Sequence, residues 1–331
     1  MDLQKTQHYT TLQNKICDNL IQYIPDEVLL IEPFVGKGDL LSLFPNHSWE
    51  TYDLEPYLLT AKIQDTLKMP PDYKGKWVIT NPPYLAKNKA LDKTIFEQYG
   101  VDDLYKAALI SLLEAEGGIL IIPANFFTDE RTGTVRKRFL NTFEVLEINF
   151  FSQPVFESTT YSICSFAFRR KREINKIQTI KANLYPEDYS YNIRLTEETD
   201  YRIAGEFYQS LKKEQIIFSR LTDKVPQGKY LTNIKLFALD TRTERIRLEY
   251  CTDPFFGKPT DRCYATFVSD IELTESEQKK IIENFNKMLE SFRQEFGNLS
   301  LTNYRDYNRK RIGFTFAYQL ASRVYRENKG V

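Results

Sequence analysis

Short apolar runs alternate with amphipathic stretches through the first half of the chain. Apolar runs of four to eight residues bounded by turn residues are typical of strands buried in a parallel sheet. The strands predicted in this way are 28–31, 49–53, 77–80, 119–123, 145–150 and 161–168, and the helices between the later ones are 103–116 and 130–140. Strands that alternate with helices predict an α/β domain with a doubly wound, mostly parallel sheet of six or seven strands.

The pattern changes near residue 190. A charge run at 169–173 and a loop-like stretch at 185–189 indicate a junction between two domains. Beyond it we predict a helix over 197–220, short strands and turns over 225–268, and a long amphipathic helix over 275–296. We therefore expect a first domain over 1–185 and a second, mixed α+β domain over 186–331. A chain of 331 residues with a 42% hydrophobic fraction can fill two cores.

A glycine pair follows the first predicted strand, which ends near Glu32. Gly36 and Gly38 allow positive φ and let a ligand approach the backbone closely. Turns of this kind lie at the carboxyl ends of strands in open α/β sheets, where cofactors bind. A third glycine of the dinucleotide fingerprint does not follow, which makes NAD the weaker interpretation. The alternative is an ordinary tight turn.

Two acids follow the glycine turn. Asp53 closes the second predicted strand about twenty residues after the turn, where a carboxylate can accept hydrogen bonds from ribose hydroxyls. Asp65 follows in Ile63-Gln64-Asp65, before the loop 69–71, and is supported by its order alone. Both could equally be surface acids.

The tetrapeptide Asn81-Pro82-Pro83-Tyr84 ends the apolar run 77–80. Two prolines fix φ and remove two backbone donors, so the strand stops and the chain leaves in a rigid turn. The Asn81 side chain and the Pro82 carbonyl offer acceptors for an exocyclic amino group, and Tyr84 offers a flat face for a base. The alternative is a simple turn, since Asn-Pro is a common turn opener.

In this order, the glycine turn, the acids and the tetrapeptide resemble S-adenosylmethionine-dependent DNA adenine-N6 methyltransferases of restriction–modification systems, in the arrangement called gamma. The resemblance covers about residues 5–170 and implies a Rossmann-like methyltransferase domain with a seven-stranded sheet. The resemblance implies that S-adenosylmethionine is bound by Tyr9, Thr10, Glu32, Phe34, Gly36, Gly38, Asp53, Asp65 and Asn81. It assigns catalysis to Asn81, Pro82, Tyr84 and Phe156, the last as a second aromatic face on the adenine. The alternative for Phe156 is a core phenylalanine.

The resemblance implies an enzyme that flips an adenine out of a specific duplex DNA sequence and methylates its N6 amino group by direct in-line transfer. Such an enzyme would protect host DNA, with duplex DNA and a cognate restriction endonuclease encoded nearby as partners. Two alternatives stay open: an RNA adenine-N6 methyltransferase, and a non-catalytic nucleic-acid-binding subunit. The same tetrapeptide occurs in enzymes that methylate RNA bases and protein glutamine.

Basic residues concentrate in the second half of the chain. The formal net charge is zero, but residues 1–170 carry 17 Lys or Arg against 22 Asp or Glu, and residues 171–331 carry 28 against 23. Basic clusters can contact phosphates and base edges, and solvated faces are the alternative. The candidate nucleic-acid contacts are Lys87, Lys89, Arg242, Arg245, Arg247, Arg305, Arg309, Lys310 and Arg311.

Cysteine and histidine give no sign of a metal site. The four cysteines show no short paired spacing, and the chain has two histidines. Thiols without a disulfide framework suit a reducing compartment. We find no apolar run of membrane length, and we therefore expect a cytoplasmic protein without a metal cofactor.

Overall fold

The computed structural model describes residues 15–156, 161–258, 260–303 and 309–330. The described chain divides into two compact units, one ending at Arg202 and one beginning at Ile203. Each unit has its own sheet and its own helices.

The first unit is built on a nine-stranded sheet. Its strands are β1 (Leu30–Glu32), β2 (Trp49–Asp53), β3 (Lys62–Ile63), β4 (Trp77–Thr80), β5 (Gly117–Pro123), β6 (Phe143–Phe151), β7 (Ile163–Arg170), β8 (Ile177–Tyr185) and β9 (Tyr189–Thr196). They lie in the order β3-β2-β1-β4-β5-β7-β6-β8-β9. The first five strands in this order pair in parallel, as do β6 and β8, so the sheet is mostly parallel.

The strand order reverses between β1 and β4. From β1 the chain proceeds to β2 and β3 on one side, and it returns to β4 and β5 on the other. In open parallel sheets this switch point is where loops diverge and a crevice forms at the carboxyl ends of the strands. The loops that follow β1 and β4 therefore flank one crevice.

The sheet has nine strands, and the prediction of seven is corrected. β8 pairs in parallel with β6, and β9 pairs antiparallel with β8. Along β8, Ile177 and Lys181 are exposed, while Gln178 and Ala182 are buried. This alternation is expected for a strand with one covered face. The charge run 169–173 spans the last two residues of β7 and the turn before β8, so it does not mark the end of the sheet.

Apolar side chains cover both faces of this sheet. Ile119 and Ile121 of β5 belong to a buried cluster that includes Ile16 and Leu20 from the segment before β1. Side chains alternate along a strand, so the neighbouring Leu120 and Ile122 point to the opposite face. The whole of β5 is buried, which explains its continuous apolar sequence.

The helices of the first unit cover the second face. They are α1 (Thr94–Tyr99), α2 (Leu104–Ser111), α3 (Asn125–Thr128) and α4 (Gly133–Thr142), with 3-10 turns at Ile21–Tyr23, Asp39–Leu43, Lys87–Lys89, Glu130–Thr132 and Glu197–Thr199. Phe139 of α4 lies 5.2 Å from Phe168 and 6.1 Å from Phe166 of β7, between ring centroids. The glycine turn leads into the 3-10 turn Asp39–Leu43.

The second unit combines three helices with an antiparallel sheet. Its elements are α5 (Gly205–Lys212), β10 (Phe218–Arg220), β11 (Tyr230–Phe237), β12 (Arg247–Tyr250), β13 (Tyr264–Ser269), α6 (Glu275–Glu295), β14 (Thr302–Asn303), β15 (Lys310–Arg311) and α7 (Phe314–Lys329). The sheet order is β10-β13-β11-β12, and β14 pairs with β15. No helix in the described ranges is long and apolar enough to cross a membrane.

Helix α6 shows how its sequence fixes its limits. Thr274 Oγ1 accepts a hydrogen bond from the Glu277 N–H, and the Glu277 carboxylate accepts one from the Thr274 N–H, which forms a capping box. Ile281, Phe285 and Leu289 recur every four residues and are buried on one face. This helix matches its predicted range.

One prediction for the second half is corrected. The helix predicted over 197–220 is limited to α5, because Asp200, Tyr201 and Ala204 have positive φ and the chain continues into β10. Within the stretch 225–268, strand β12 begins at Arg247, because the preceding residues form a turn closed by hydrogen bonds between Thr241 and Glu244.

Candidate active site

The glycine turn is held against the end of β2. Gly36 and Gly38 have φ of 51° and 83°, in the left-handed region that glycine adopts readily. The Gly36 N–H donates to Asp53 Oδ2 at 2.8 Å, and the Val35 N–H donates to the Tyr52 carbonyl at 2.9 Å. A Cβ at Gly36 would meet no heavy atom within 4 Å. The turn is therefore fixed on one side and open at Gly36.

Two acids lie beside this turn. Asp53 accepts from the Gly36 N–H with one oxygen and from the Glu55 N–H, at 3.0 Å, with the other. Each carboxylate oxygen has two lone pairs, so Asp53 keeps capacity for a ligand hydroxyl. Asp65 accepts from backbone N–H groups of its own loop. The adjacent Thr66 hydroxyl donates to the Pro33 carbonyl at 2.9 Å, which places the Asp65 loop against the glycine turn.

Glu32 connects the two strands at the switch point. Its Oε1 accepts from the Thr80 hydroxyl of β4 at 2.5 Å and from the Phe34 N–H at 3.1 Å. The residue is 1% exposed, and its Oε2 has no hydrogen-bond partner within the described ranges. Burial is the main cause that raises the pKa of Glu32 to about 8. This carboxyl is therefore mostly protonated at neutral pH.

The tetrapeptide begins one residue after Thr80, so the Glu32–Thr80 bond sets it beside the glycine turn. The Tyr84 hydroxyl lies 2.6 Å from Asn81 Oδ1 and 2.7 Å from the Ile121 carbonyl oxygen. A hydroxyl carries one hydrogen and donates to one oxygen at a time. If it donates to Ile121, a flipped Asn81 amide donates its NH₂ to the phenol oxygen. The Asn81 oxygen then turns away from Tyr84.

Asp103 supports the tetrapeptide from outside it and was not among the predicted site residues. Asp103 Oδ1 accepts from the N–H of Leu85, the residue after Tyr84, at 3.1 Å, and the Leu104 N–H donates to the Leu85 carbonyl at 3.1 Å. The Tyr84 ring meets Tyr105 edge-on, 6.3 Å between centroids. Burial raises the pKa of Asp103 to about 6. The long spacing between Tyr84 and Asp103 gave no signal of this contact.

Phe156 lies in the apolar core of the first unit. It is 1% exposed and belongs to the same buried cluster as Val155 and Ile163. In this conformation its ring does not offer an exposed face opposite Tyr84. The arrangement matches the alternative of a core phenylalanine, and a stacking role stays a prediction.

The predicted basic contacts have different surroundings. Arg242 and Arg245 are exposed, and Arg309 and Arg311 are partly exposed. Arg247 bonds to the carboxylates of Glu244 and Glu249, while Lys310 is 7% exposed. In the first unit Lys87 lies 3.6 Å from the Glu97 carboxylate, and Lys89 is exposed in the same 3-10 turn. Tyr9, Thr10 and Arg305 lie outside the described residues.

Cysteines and acids do not form a metal site within the described ranges. No group of three or more His, Cys, Asp or Glu side chains there is arranged to hold a metal ion. The four cysteines carry free thiols, and Cys17 and Cys164 are buried.

The sequence matches the profile of the N-6 DNA Methylase family over residues 52–245. This range covers more than half of the chain and includes Asp53, Asp65 and the tetrapeptide. The chain belongs to the N-6 DNA Methylase family. No curated protein matches it.

Several solved structures are similar to this family member. A modification subunit assigned to a type I restriction enzyme of Vibrio vulnificus YJ016 shares 14% identity with a TM-score of 0.45, covering 62% of this chain and 52% of that chain. The EcoKI M protein shares 12% identity (TM-score 0.43; 56% and 49% covered), and a type I methyltransferase subunit from Streptococcus thermophilus shares 15% (TM-score 0.40; 62% and 52% covered). The chain thus spans about half the length of each. Family membership rests on the sequence match.

Proposed function

We propose that this protein transfers a methyl group from S-adenosylmethionine to the N6 amino group of adenine in a specific duplex DNA sequence. The observation that carries the proposal is the Glu32–Thr80 hydrogen bond, which joins the end of β1 to the end of β4. This bond joins the strand before the glycine turn to the strand before Asn81-Pro82-Pro83-Tyr84, which supports a single switch-point crevice between them. Membership of the N-6 DNA Methylase family supports the same reaction.

The residues around the glycine turn fit S-adenosylmethionine. Gly36 borders open space, and Glu32 Oε2 is a buried polar atom without a partner among the described residues. Glu32 and the turn 34–38 would hold the methionine and ribose part, Asp53 the ribose hydroxyls, and Asp65 the adenine. When bound, the cofactor supplies a sulfonium methyl group for transfer. Tyr9 and Thr10 are proposed to touch its methionine end.

Asn81 and Pro82 are proposed to hold the substrate amine. The adenine amino group is a weak nucleophile because its lone pair is delocalised into the ring. Acceptance of its two hydrogens by Asn81 Oδ1 and the Pro82 carbonyl would favour a tetrahedral nitrogen. A flipped Asn81 amide, with its nitrogen toward Tyr84, would leave Oδ1 for this task. Orientation of this kind supplies on the order of 7 to 11 kcal/mol of a barrier.

The target base has to leave the duplex to reach the crevice, a step that costs a few kcal/mol. Stacking on an aromatic ring offsets part of that cost. Tyr84 is the proposed platform, and Phe156 would serve as the second face only after leaving the core. We further propose that the enzyme acts in the cytoplasm within a restriction–modification system, with a cognate endonuclease as partner.

The test is the transfer of labelled methyl from S-adenosylmethionine to unmethylated duplex DNA, followed by digestion and identification of the nucleoside. N6-methyladenine that is absent with Asn81→Ala supports the proposal. Transfer to RNA but not to duplex DNA would show that RNA is the substrate. No transfer to either would favour a non-catalytic nucleic-acid-binding subunit.

A further inference from the structure

Two basic segments that are far apart in the sequence lie side by side in the second unit. Leu239 forms an antiparallel bridge with Arg311. The Asp240 N–H donates to the Lys310 carbonyl at 2.9 Å, and the Ile312 N–H donates to the Ala238 carbonyl at 3.0 Å. The loop 240–246 therefore starts directly beside β15.

The pairing sorts the basic side chains by direction. Side chains alternate along extended chains, so Asp240 and Lys310 share one side and Arg309 and Arg311 point to the other. Lys310 is 7% exposed, which shows that its side faces the interior, whereas Arg309 and Arg311 are partly exposed. Four arginines thus belong to the two paired segments, Arg242 and Arg245 to the loop and Arg309 and Arg311 to β15 and the residue before it. We call them the basic edge: Arg242, Arg245, Arg309 and Arg311.

A buried ion pair fixes the loop in this place. Arg293 of α6 is 4% exposed and donates to both oxygens of Asp240, at 2.9 and 2.7 Å. Asp240 Oδ1 also accepts from the Ile246 N–H at 2.9 Å, so one carboxylate ties both ends of the loop. Arg293 Nε donates to Asn298 Oδ1 at 2.6 Å, which orients the guanidinium. A bidentate pair of this kind gives the loop a defined position.

The charge at this edge suits a polyanion. Residues 203–331 carry 22 Lys or Arg and 17 Asp or Glu, an excess of positive charge in the second unit. Arg242 and Arg245 are exposed, and Arg245 lies 3.9 Å from the Glu290 carboxylate. Arginine is suited to phosphate because its planar fork matches phosphate oxygens.

We propose that the basic edge is one continuous surface that binds the phosphate backbone of duplex DNA, and that Asp240 and Arg293 are its positioning residues. The inference deepens the proposed function, on which its choice of partner rests. The loop and β15 then bind the same DNA molecule, and the ion pair sets the distance between them. The pair itself touches no DNA.

The first test measures binding of the full chain to a labelled duplex by fluorescence anisotropy as salt is varied. Removal of one arginine–phosphate interaction should flatten the slope of log K against log salt by about 0.9. We expect this change for Arg242→Gln, Arg245→Gln, Arg309→Gln and Arg311→Gln, and about twice this change for the Arg245→Gln/Arg311→Gln pair. Lys280→Gln removes one exposed charge from α6 and should leave the slope unchanged. If only the loop substitutions, or only the β15 substitutions, flatten the salt slope, the proposal of a shared surface is wrong.

The second test addresses the positioning residues. Asp240→Asn keeps an acceptor for the Ile246 N–H but weakens the pair with Arg293. We expect it to flatten the salt slope, and in its background Arg245→Gln should add little further change. Full additivity of the two substitutions would contradict positioning. If Asp240→Asn does not fold, the four arginine variants still decide the surface.

The two proposals fail separately. Flattened salt slopes without methyl transfer to DNA would refute the proposed reaction but support the DNA-binding surface. Methyl transfer with unaltered salt slopes would refute the surface but support the reaction. Tighter binding of the same sequence as a single strand would overturn duplex DNA as the occupant.

Discussion

The crevice of the first unit and the basic edge of the second are built in opposite ways. In the crevice, Glu32 is buried, and Asp53 accepts hydrogen bonds from the Gly36 N–H of the turn and from the Glu55 N–H. At the basic edge, Arg242 and Arg245 are exposed, and in their anchor Arg293 is buried and Asp240 is partly buried.

This difference separates two kinds of recognition. Hydrogen bonds to buried groups act over a few ångströms and depend on protonation, because burial shifts the pKa of the group. Exposed arginines act through charge, which salt screens within about 10 Å at 0.1 M. We therefore expect pH to act mainly on the crevice and salt mainly on the basic edge.

The largest expected effect concerns Glu32. Burial raises its pKa from 4.5 to about 8 in the folded state. Its contribution to the free energy of unfolding is therefore full below pH 4.5 and is lost as pH rises through 8, by at most about 5 kcal/mol. Urea unfolding of the parent and Glu32→Gln at about pH 5, 7 and 9 would show the parent losing stability relative to the variant. A difference that does not change with pH would contradict a buried, protonated Glu32.

Asn81→Ala tests the other side of the crevice. Loss of a positioned acceptor should lower the rate of methyl transfer about a hundred- to a thousandfold. The dissociation constant for S-adenosylmethionine, measured by calorimetry, should stay nearly unchanged. Tyr84→Phe is the matched control for the hydroxyl that contacts Asn81. Loss of cofactor binding together with transfer would remove the role assigned to Asn81.

Salt should separate the two regions in one experiment. Four arginines bound to phosphates predict that DNA binding weakens about a hundredfold between 50 and 200 mM salt. The proposed cofactor binding in the crevice would depend on hydrogen bonds to the turn, and its dissociation constant should change less than about threefold over the same range. If the dissociation constants for DNA and for the cofactor respond equally to salt, the proposed difference between the basic edge and the crevice is wrong.

The smallest effect is expected at Asp103. Asp103→Ala removes the acceptor for the Leu85 N–H and should lower turnover about tenfold through misplacement of Tyr84. Asp103→Asn keeps an oxygen at this position and should restore most of the rate. Steady-state kinetics with separate measurement of cofactor affinity would check this. An equal loss in both variants would point to the charge rather than the hydrogen bond.

The sequence predicted the strands of the first unit that are buried on both faces, because continuous apolar runs such as 119–123 have few other solutions. It did not predict β8 and β9, whose alternating polar residues follow a charge run and resemble a linker. It placed Glu32, Asp53 and Asn81 at strand ends correctly, since their order along the chain follows the order of the strands. Whether these residues bind the proposed ligands stays a prediction.

Pairings between distant residues could not be predicted from spacing. Nothing in the sequence indicated that Thr80 donates to Glu32, that Asp103 accepts from the Leu85 N–H, or that Arg293 pairs with Asp240. The composition of the second half likewise indicated positive charge without its direction, and Lys310 proved to be buried. These contacts depend on the topology of the fold, which brings residues from distant parts of the sequence together.

Strand β9 has a practical consequence for shortened forms of the protein. It pairs along the whole of β8, from Ile177 to Leu184, and so covers backbone groups of β8 that would otherwise form an open edge. A polypeptide ended at residue 185 would expose that edge together with Ile180 and Ala182, the kind of surface that recruits further chains and precipitates. A polypeptide ended after Arg202 keeps β9, the native edge strand with polar Asn192 and charged Arg194, and should stay monodisperse, which size-exclusion chromatography of the two forms would reveal.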